Sequence, residues 1–141
     1  MKIFISIFLL FCVSNASSLQ YKKTKNIVID TRKNIMWQDN TDVINFLETF
    51  TSGKVYCDIL VLNGYIDWRK PTIKELQSIV DVHRKNSINK NFKYVEKKIY
   101  LTNTTFKNDV NKVWAIDFKN GKTLLVKKDE KNFLRCVRDI K

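Results

Sequence analysis

The segment GYIDWRKPTIKEL, from Gly64 to Leu76, gathers Asp67, Arg69 and Glu75 around the only proline of the chain, Pro71. Two carboxylates beside an arginine are the material of acid–base catalysis, provided both acids face one substrate with their pKa values held apart. Here the acids have nearer duties. Thr72-Ile73-Lys74-Glu75 has the capping-box spacing, which commits the Thr72 hydroxyl and the Glu75 carboxylate to the first turn of a helix. Pro71 disfavours helical backbone at Lys70 and so places the helix start just after it. The segment therefore reads as architecture, with Tyr65 and Trp68 in the core and Asp67 and Arg69 satisfying backbone groups or each other.

A second group is cationic. In RKNSINKNFKYVEKK, Arg84, Lys85, Lys90, Lys93, Lys97 and Lys98 stand against one acid, Glu96, with Phe92 and Tyr94 interleaved. Clustered lysines attract polyanions by releasing counterions, and salt screens that attraction. Sulfated glycan, anionic lipopolysaccharide, nucleic acid and acidic protein would all respond. Lysine in place of arginine favours diffuse attraction over bidentate recognition. The competing reading is a solvated loop whose charge follows from composition: 21 of the 26 basic residues are lysine, and the net charge of the full sequence is +12. Lys127, Lys128 and Lys131 form a second, smaller cluster.

The third group is the cysteines. Cys12 lies in an N-terminal stretch, MKIFISIFLLFCVSNASS, that has one lysine, an apolar run from Ile3 to Val13 and then Ser-Asn-Ala. That is the pattern of a secretory signal peptide cleaved after Ala16, and the apolar run is too short to span a bilayer, which needs about 20 residues. Export leaves Cys57 and Cys136, which in an oxidising compartment read as a disulfide closing a loop of nearly eighty residues. A metal pair would need more His or Cys than the single His83 supplies, and His83 reads as a helix-end surface residue. Arg135 and Arg138 flank Cys136. On a strand, Arg138 shares the face of Cys136 and is expected beside the disulfide, paired with Asp67 or Glu75. Asn103-Thr104-Thr105 meets the minimal glycosylation triplet, which arises often by chance. No Ser/His/Asp set, phosphate loop or metal constellation stands out, so no enzyme, cofactor or metal is expected.

The elements that must position these residues follow from periodicity. NIVID and NIMWQD read as two strands about a turn at Thr31–Asn34. DVINFLETF places Val43, Ile44, Leu47 and Phe50 at helical spacing, and KVYCDILVLNG fits a second, mostly buried helix stopped at Asn63–Gly64, though its composition also allows a strand. Ile73, Leu76, Ile79 and Val80 form the stripe of a third helix. Ile88, Phe92 and Tyr94 anchor the basic segment. IYLTNT is a strand, KVWAIDFKNGKTLLVKK a hairpin turning on Asn120-Gly121, and NFLRCVR a last strand. The order of strands, helices and strands indicates a small single α+β domain with short antiparallel strands and two to three helices. Residues 1–16 are the leader, 17–25 a polar lead-in and 26–141 the domain, with about 125 residues left to close one core.

Several of these segments together resemble a known family. MWQD, YCDILVLNGYIDWRKPTIKEL, VWAIDFKNGK and LRCVR are similar to the bacterial Legionella collagen-like protein C-terminal domain family, over about Asn26 to Arg138. The most specific matches are Tyr56-Cys57, Gly64-Tyr65, Asp67-Trp68-Arg69, Pro71-Thr72 and Glu75-Leu76. The resemblance implies export, a C-type-lectin-like architecture and, from the adhesin that names the family, binding of sulfated polysaccharide. Lys70 stands where the family usually has leucine, and Leu101 follows Tyr100 where the family tends to have tryptophan. No Gly-X-Y stalk is present. The expectation is an exported, periplasmic or secreted, non-catalytic domain that attaches to an acidic polysaccharide or envelope polymer through the basic segment, without specific nucleic-acid binding and with no membrane span after signal cleavage. The alternative is a periplasmic structural or protein-interaction module with incidental charge. The oligomeric state stays open.

Overall fold

The structure is a computed structural model in which residues 19–141 are described; the expected leader over residues 1–16, with Cys12 and its cleavage after Ala16, lies outside them. The elements run β1 (Tyr21–Thr24), β2 (Ile27–Asp30), β3 (Ile35–Gln38), α1 (Asp42–Asn45), β4 (Leu47–Glu48), α2 (Phe50–Ile59), α3 (Ile73–Ser78), β5 (Ile99–Thr105), β6 (Lys112–Asp117), β7 (Lys122–Lys127), β8 (Asn132–Phe133) and β9 (Val137–Asp139). Two sheets form, in the orders β1-β2-β3-β9 and β4-β8-β5-β6-β7. All pairings are antiparallel except β5 with β8. This is the small α+β domain with one disulfide that the element order implies. Among the described residues, no helix is long and apolar enough to cross a membrane.

The period of two explains why the strands are apolar on both faces. Val28, Trp37, Tyr100, Ile116 and Val137 enter one core, with Leu76 of α3 and with Ile79, which caps that helix; the helix ends at Ser78, short of the expected stripe through Ile79 and Val80. Their sequence neighbours Ile27, Met36, Leu101, Ala115 and Cys136 enter a second, with Cys57 of α2 and Trp68. Successive side chains of a strand point to opposite faces, so a strand covered on both sides must be apolar at every position.

Local chemistry sets the turns. The Asp30 carboxylate, fully buried, accepts from the Arg32 and Lys33 N–H groups and so ties the β2–β3 turn. Thr49 and Ser52 form a capping box at α2, and Thr72 and Glu75 form the expected one at α3. Ile88 and Phe92 are buried and Tyr94 is partly buried, as the anchoring reading requires.

Several expectations are corrected. Tyr21–Thr24, read as lead-in, is a strand paired with β2 in full register. The first helix ends at Asn45, and Leu47 and Phe50 fall in β4 and at the start of α2. The second helix spans Phe50–Ile59 and buries only Gly53 and Cys57, because it packs on one side alone. It stops at Leu60, so Asn63 and Gly64 do not cap it. Both have positive φ (51° and 78°) and make the two-residue turn of a small hairpin in which Leu62 and Tyr65 exchange backbone hydrogen bonds. Tyr65 is 42% exposed and not in the core. The β6–β7 connection is a four-residue loop, Phe118–Gly121, with only Gly121 left-handed; a Cβ there would lie 2.8 Å from Val80 Cγ1. NFLRCVR is not one strand. It is divided into β8 and β9, because Leu134–Cys136 carry the chain from one sheet to the other.

Candidate functional site

The dense segment is built as architecture. Arg69 Nη1 and Nη2 each lie 2.8 Å from a Glu75 oxygen, and the same guanidinium reaches Asp139 at 2.9 and 3.2 Å. Glu75 also accepts from the Thr72 N–H at 2.7 Å. Burial alone would raise the Glu75 carboxyl, but Arg69 and the Thr72 N–H together hold it below its ordinary value. The hydrogen bond from Arg69 lowers Asp139 as well. Trp68 is buried and donates to the Tyr65 carbonyl. Pro71 is buried and its carbonyl accepts from the Asn103 N–H. Asp67, with φ 65°, is exposed and pairs with Lys141 at 3.5 Å. Asp67 and Arg69 therefore do not satisfy each other.

The arginines beside Cys136 depart from the expected arrangement, in which Arg138 pairs with Asp67 or Glu75. Cys57 and Cys136 are bonded and fully buried. Among the described residues Arg138 pairs with no acid; its Nε donates to the Ile66 carbonyl at 2.7 Å and its guanidinium lies 4.9 Å from the Tyr65 ring centre. Asp67 and Glu75 are engaged by Lys141 and Arg69. Arg135 is the arginine that the core encloses: it meets Asp39 at 3.0 Å and the carbonyls of Gln38 and Tyr94. Asp39 in turn accepts the N–H groups of Lys93 and Tyr94, at 2.9 and 3.1 Å.

Lys70, at the position given to leucine by resemblance, is 5% exposed. Its Nζ donates to the Phe50 carbonyl at 2.8 Å and lies 3.1 Å from the Phe50 ring centre, and no carboxylate pairs with it among the described residues. Burial, then Lys128 and Lys54, push its pKa down to about 8. The unfolded chain therefore holds this proton more tightly between pH 8 and the ordinary lysine value, and stability rises with pH across that window. Below pH 8 the lysine carries its full cost, on the order of 2–3 kcal/mol. Lys70→Leu is expected to raise Tm at pH 7 by about 6–12 °C, with the gap closing as the pH approaches 10. An unchanged Tm at pH 7 would refute this account.

In the basic segment, Arg84, Lys85, Lys90, Lys93, Lys97 and Lys98 are all exposed, and none enters an ion pair among the described residues. His83 is exposed too. The backbone beneath them is held. Asn89 N–H donates to the Ile79 carbonyl, the Asp39 carboxylate accepts from the Lys93 and Tyr94 N–H groups, and Glu96 N–H donates to the Tyr100 hydroxyl. The six cations do not gather into one patch. Lys90 and Lys93 join Lys23 and Lys25 around a depression of about 340 Å³. Lys97 and Lys98 join Lys119 and Lys131 around a cleft of about 460 Å³. Arg84 and Lys85 line neither. The second lysine cluster also divides, since Lys127 and Lys128 line a different depression with Asp109 and Asp129. Lys23 and Lys25 belong to the lysine-bearing lead-in and Lys119 to the β6–β7 loop, and nothing local in the sequence joins either to the basic segment, because their neighbours come from distant strands.

A family model described as the Lcl C-terminal domain matches residues 26–138. No curated protein matches the chain.

Proposed function

The chain belongs to the Lcl C-terminal domain family, and on that premise we propose that it is an exported, non-catalytic binding domain for an acidic or sulfated polysaccharide or another envelope polyanion. The observation that carries this reading is the state of the basic segment: six exposed cations outside every ion pair among the described residues, on a backbone already ordered by buried partners. Binding then costs little further ordering, and the gain is counterion release. The internal disulfide supports an oxidising compartment. The carboxylates of the dense segment support a non-catalytic role, since Glu75 is held by Arg69 and the helix cap.

The test is a heparin column developed with a salt gradient. Converting Lys90, Lys93, Lys97 and Lys98 to Gln is expected to lower the elution salt and to flatten the slope of log affinity against log salt by about three to four. Unchanged elution would sink the polyanion reading. The same column charged with DNA separates general electrostatic attraction from a preference for glycan.

The second reading, a structural or protein-interaction module, is favoured by one observation. Val55 and Ile59, a helical turn apart on α2, are 54% and 72% exposed, with Val61 and Ile66 exposed after them. It takes over where the lysine variant leaves elution unchanged.

A further inference from the structure

We propose that the cleft between β4, β8 and the β6–β7 loop seats a single anionic sugar residue, its ring against Phe133 and its carboxylate, sulfate or phosphate group among Lys97, Lys98, Lys119 and Lys131. This rests on the polyanion reading above and adds to it a defined seat with an apolar floor.

Four chain segments build the cleft. Lys97 and Lys98 arrive just before β5, Lys119 from the β6–β7 loop and Lys131 just before β8. They are brought together because β8 is inserted between β4 and β5, with Phe133 opposite Leu47 on one side and Tyr100 on the other. The Phe118 N–H donates to the Lys98 carbonyl at 3.0 Å, which fixes the loop carrying Lys119 against the strand that follows Lys98. Against the four ammonium groups stands one carboxylate in the lining, Asp117, and it already accepts the Lys119 N–H at 2.9 Å.

Charge alone does not describe this place. Its floor is apolar, with Leu47 48% exposed and Phe133 partly buried with its ring stacked on Tyr100 at 5.5 Å. The Nδ2 of Asn132, in the same lining, is buried without a partner among the described residues. A cleft of about 460 Å³ lies within the range of small-molecule sites, where an apolar body is seated on hydrophobic side chains and a few polar groups fix its orientation. A sugar ring presents an apolar C–H face and a polar rim. An anionic substituent supplies what four lysines recognise. Inorganic phosphate or a bare polyanion would use the lysines and leave the floor idle.

The depression beside Lys23, Lys25, Lys90 and Lys93 provides a comparison site, since it offers four lysines with Phe92, Tyr94 and Asp39 in place of the floor of β4 and β8. Binding of a heparin-derived hexasaccharide, an oligogalacturonate hexamer and tripolyphosphate to the oxidised protein is measured by calorimetry at low salt. Lys119→Gln with Lys131→Gln is expected to weaken both sugars about tenfold, and Lys90→Gln with Lys93→Gln less than about twofold. Phe133→Leu and Leu47→Gln are each expected to weaken the sugars about threefold and to leave tripolyphosphate unchanged. Should Phe133→Leu lower Tm and disturb the fold, Leu47→Gln, at an exposed position, decides. The proposal is overturned if both lysine pairs matter equally or if the apolar substitutions leave sugar affinity intact; diffuse attraction to polyanions then survives without a seat. Absence of heparin retention by the unsubstituted protein removes both readings.

Discussion

Replacing Cys57 and Cys136 together with alanine is expected to cost about 4–5 kcal/mol of unfolding free energy, the value that chain entropy assigns to closing a loop of this length. The two cysteines are 79 residues apart in sequence and fully buried. Their bridge joins α2 to Leu134–Cys136, the short link that carries the chain from the sheet containing β8 to the sheet containing β9. Without it the two sheets keep their own ladders, but the unfolded chain regains a large loop entropy. For a domain whose total stability is about 5–15 kcal/mol, such a loss removes from about a quarter to nearly all of it. Urea titration of the oxidised protein, of its reduced form and of the double variant would check this. A difference under about 1 kcal/mol would show that the bridge contributes little beyond the packing around it.

The second large effect is expected at the buried ion pair. Asp39→Asn should cost about 3–5 kcal/mol, because it leaves the Arg135 guanidinium enclosed without its counter-charge. Arg135 has no exposed side-chain surface, lies over the Phe92 ring and has no other carboxylate partner among the described residues. Pairing Asp39→Asn with Arg135→Met should recover part of the loss, since removing both charges abolishes the desolvation penalty that removing one exposes. Strict additivity of the two single effects would refute the pairing. The consequence reaches the binding surface. The same carboxylate accepts the Lys93 and Tyr94 N–H groups, and Arg135 holds the Tyr94 carbonyl. Amide exchange at Lys93 and Tyr94 should therefore speed up in Asp39→Asn by more than the global loss of stability explains.

These two sites differ in how much of them the sequence displays. A pair of cysteines after an apolar leader is visible as such. The Asp39–Arg135 pair is not, because nothing about an aspartate after Trp37-Gln38 and an arginine before Cys136 says that they meet across the core. Strand parity expects Arg135 and Arg138 on opposite faces, but only Arg138 lies in a strand, β9, and Arg135 belongs to the link before it. Parity does not say that the inner face belongs to Arg135, which depends on where Asp39, Phe92 and Tyr94 lie. Likewise the capping box at Thr72 and Glu75 is legible because its partners are three residues apart. The second acid on Arg69, Asp139, lies seventy residues away and gives no local sign.

The sequence by itself determined whatever acts over a few residues: the α3 cap, the pairing of β2 with β3, the apolar alternation of the long strands and the surplus of lysine between Arg84 and Lys98. The segment from Asn45 to Gly64 shows the limit of that range. Its apolar spacing suits a longer helix, yet pairing of Leu47 and Glu48 with β8 ends α1 early and α2 begins anew at Phe50. Only the tertiary structure decided which cations act together. A run of lysines along the chain is not a patch in space: Lys90 and Lys93 face the end of β1, whereas Lys97 and Lys98 turn to Lys119 and Lys131. The physical reason is that charge and backbone preference belong to each residue alone, whereas a binding surface is made by neighbours, and here strand pairing across the whole chain chooses them.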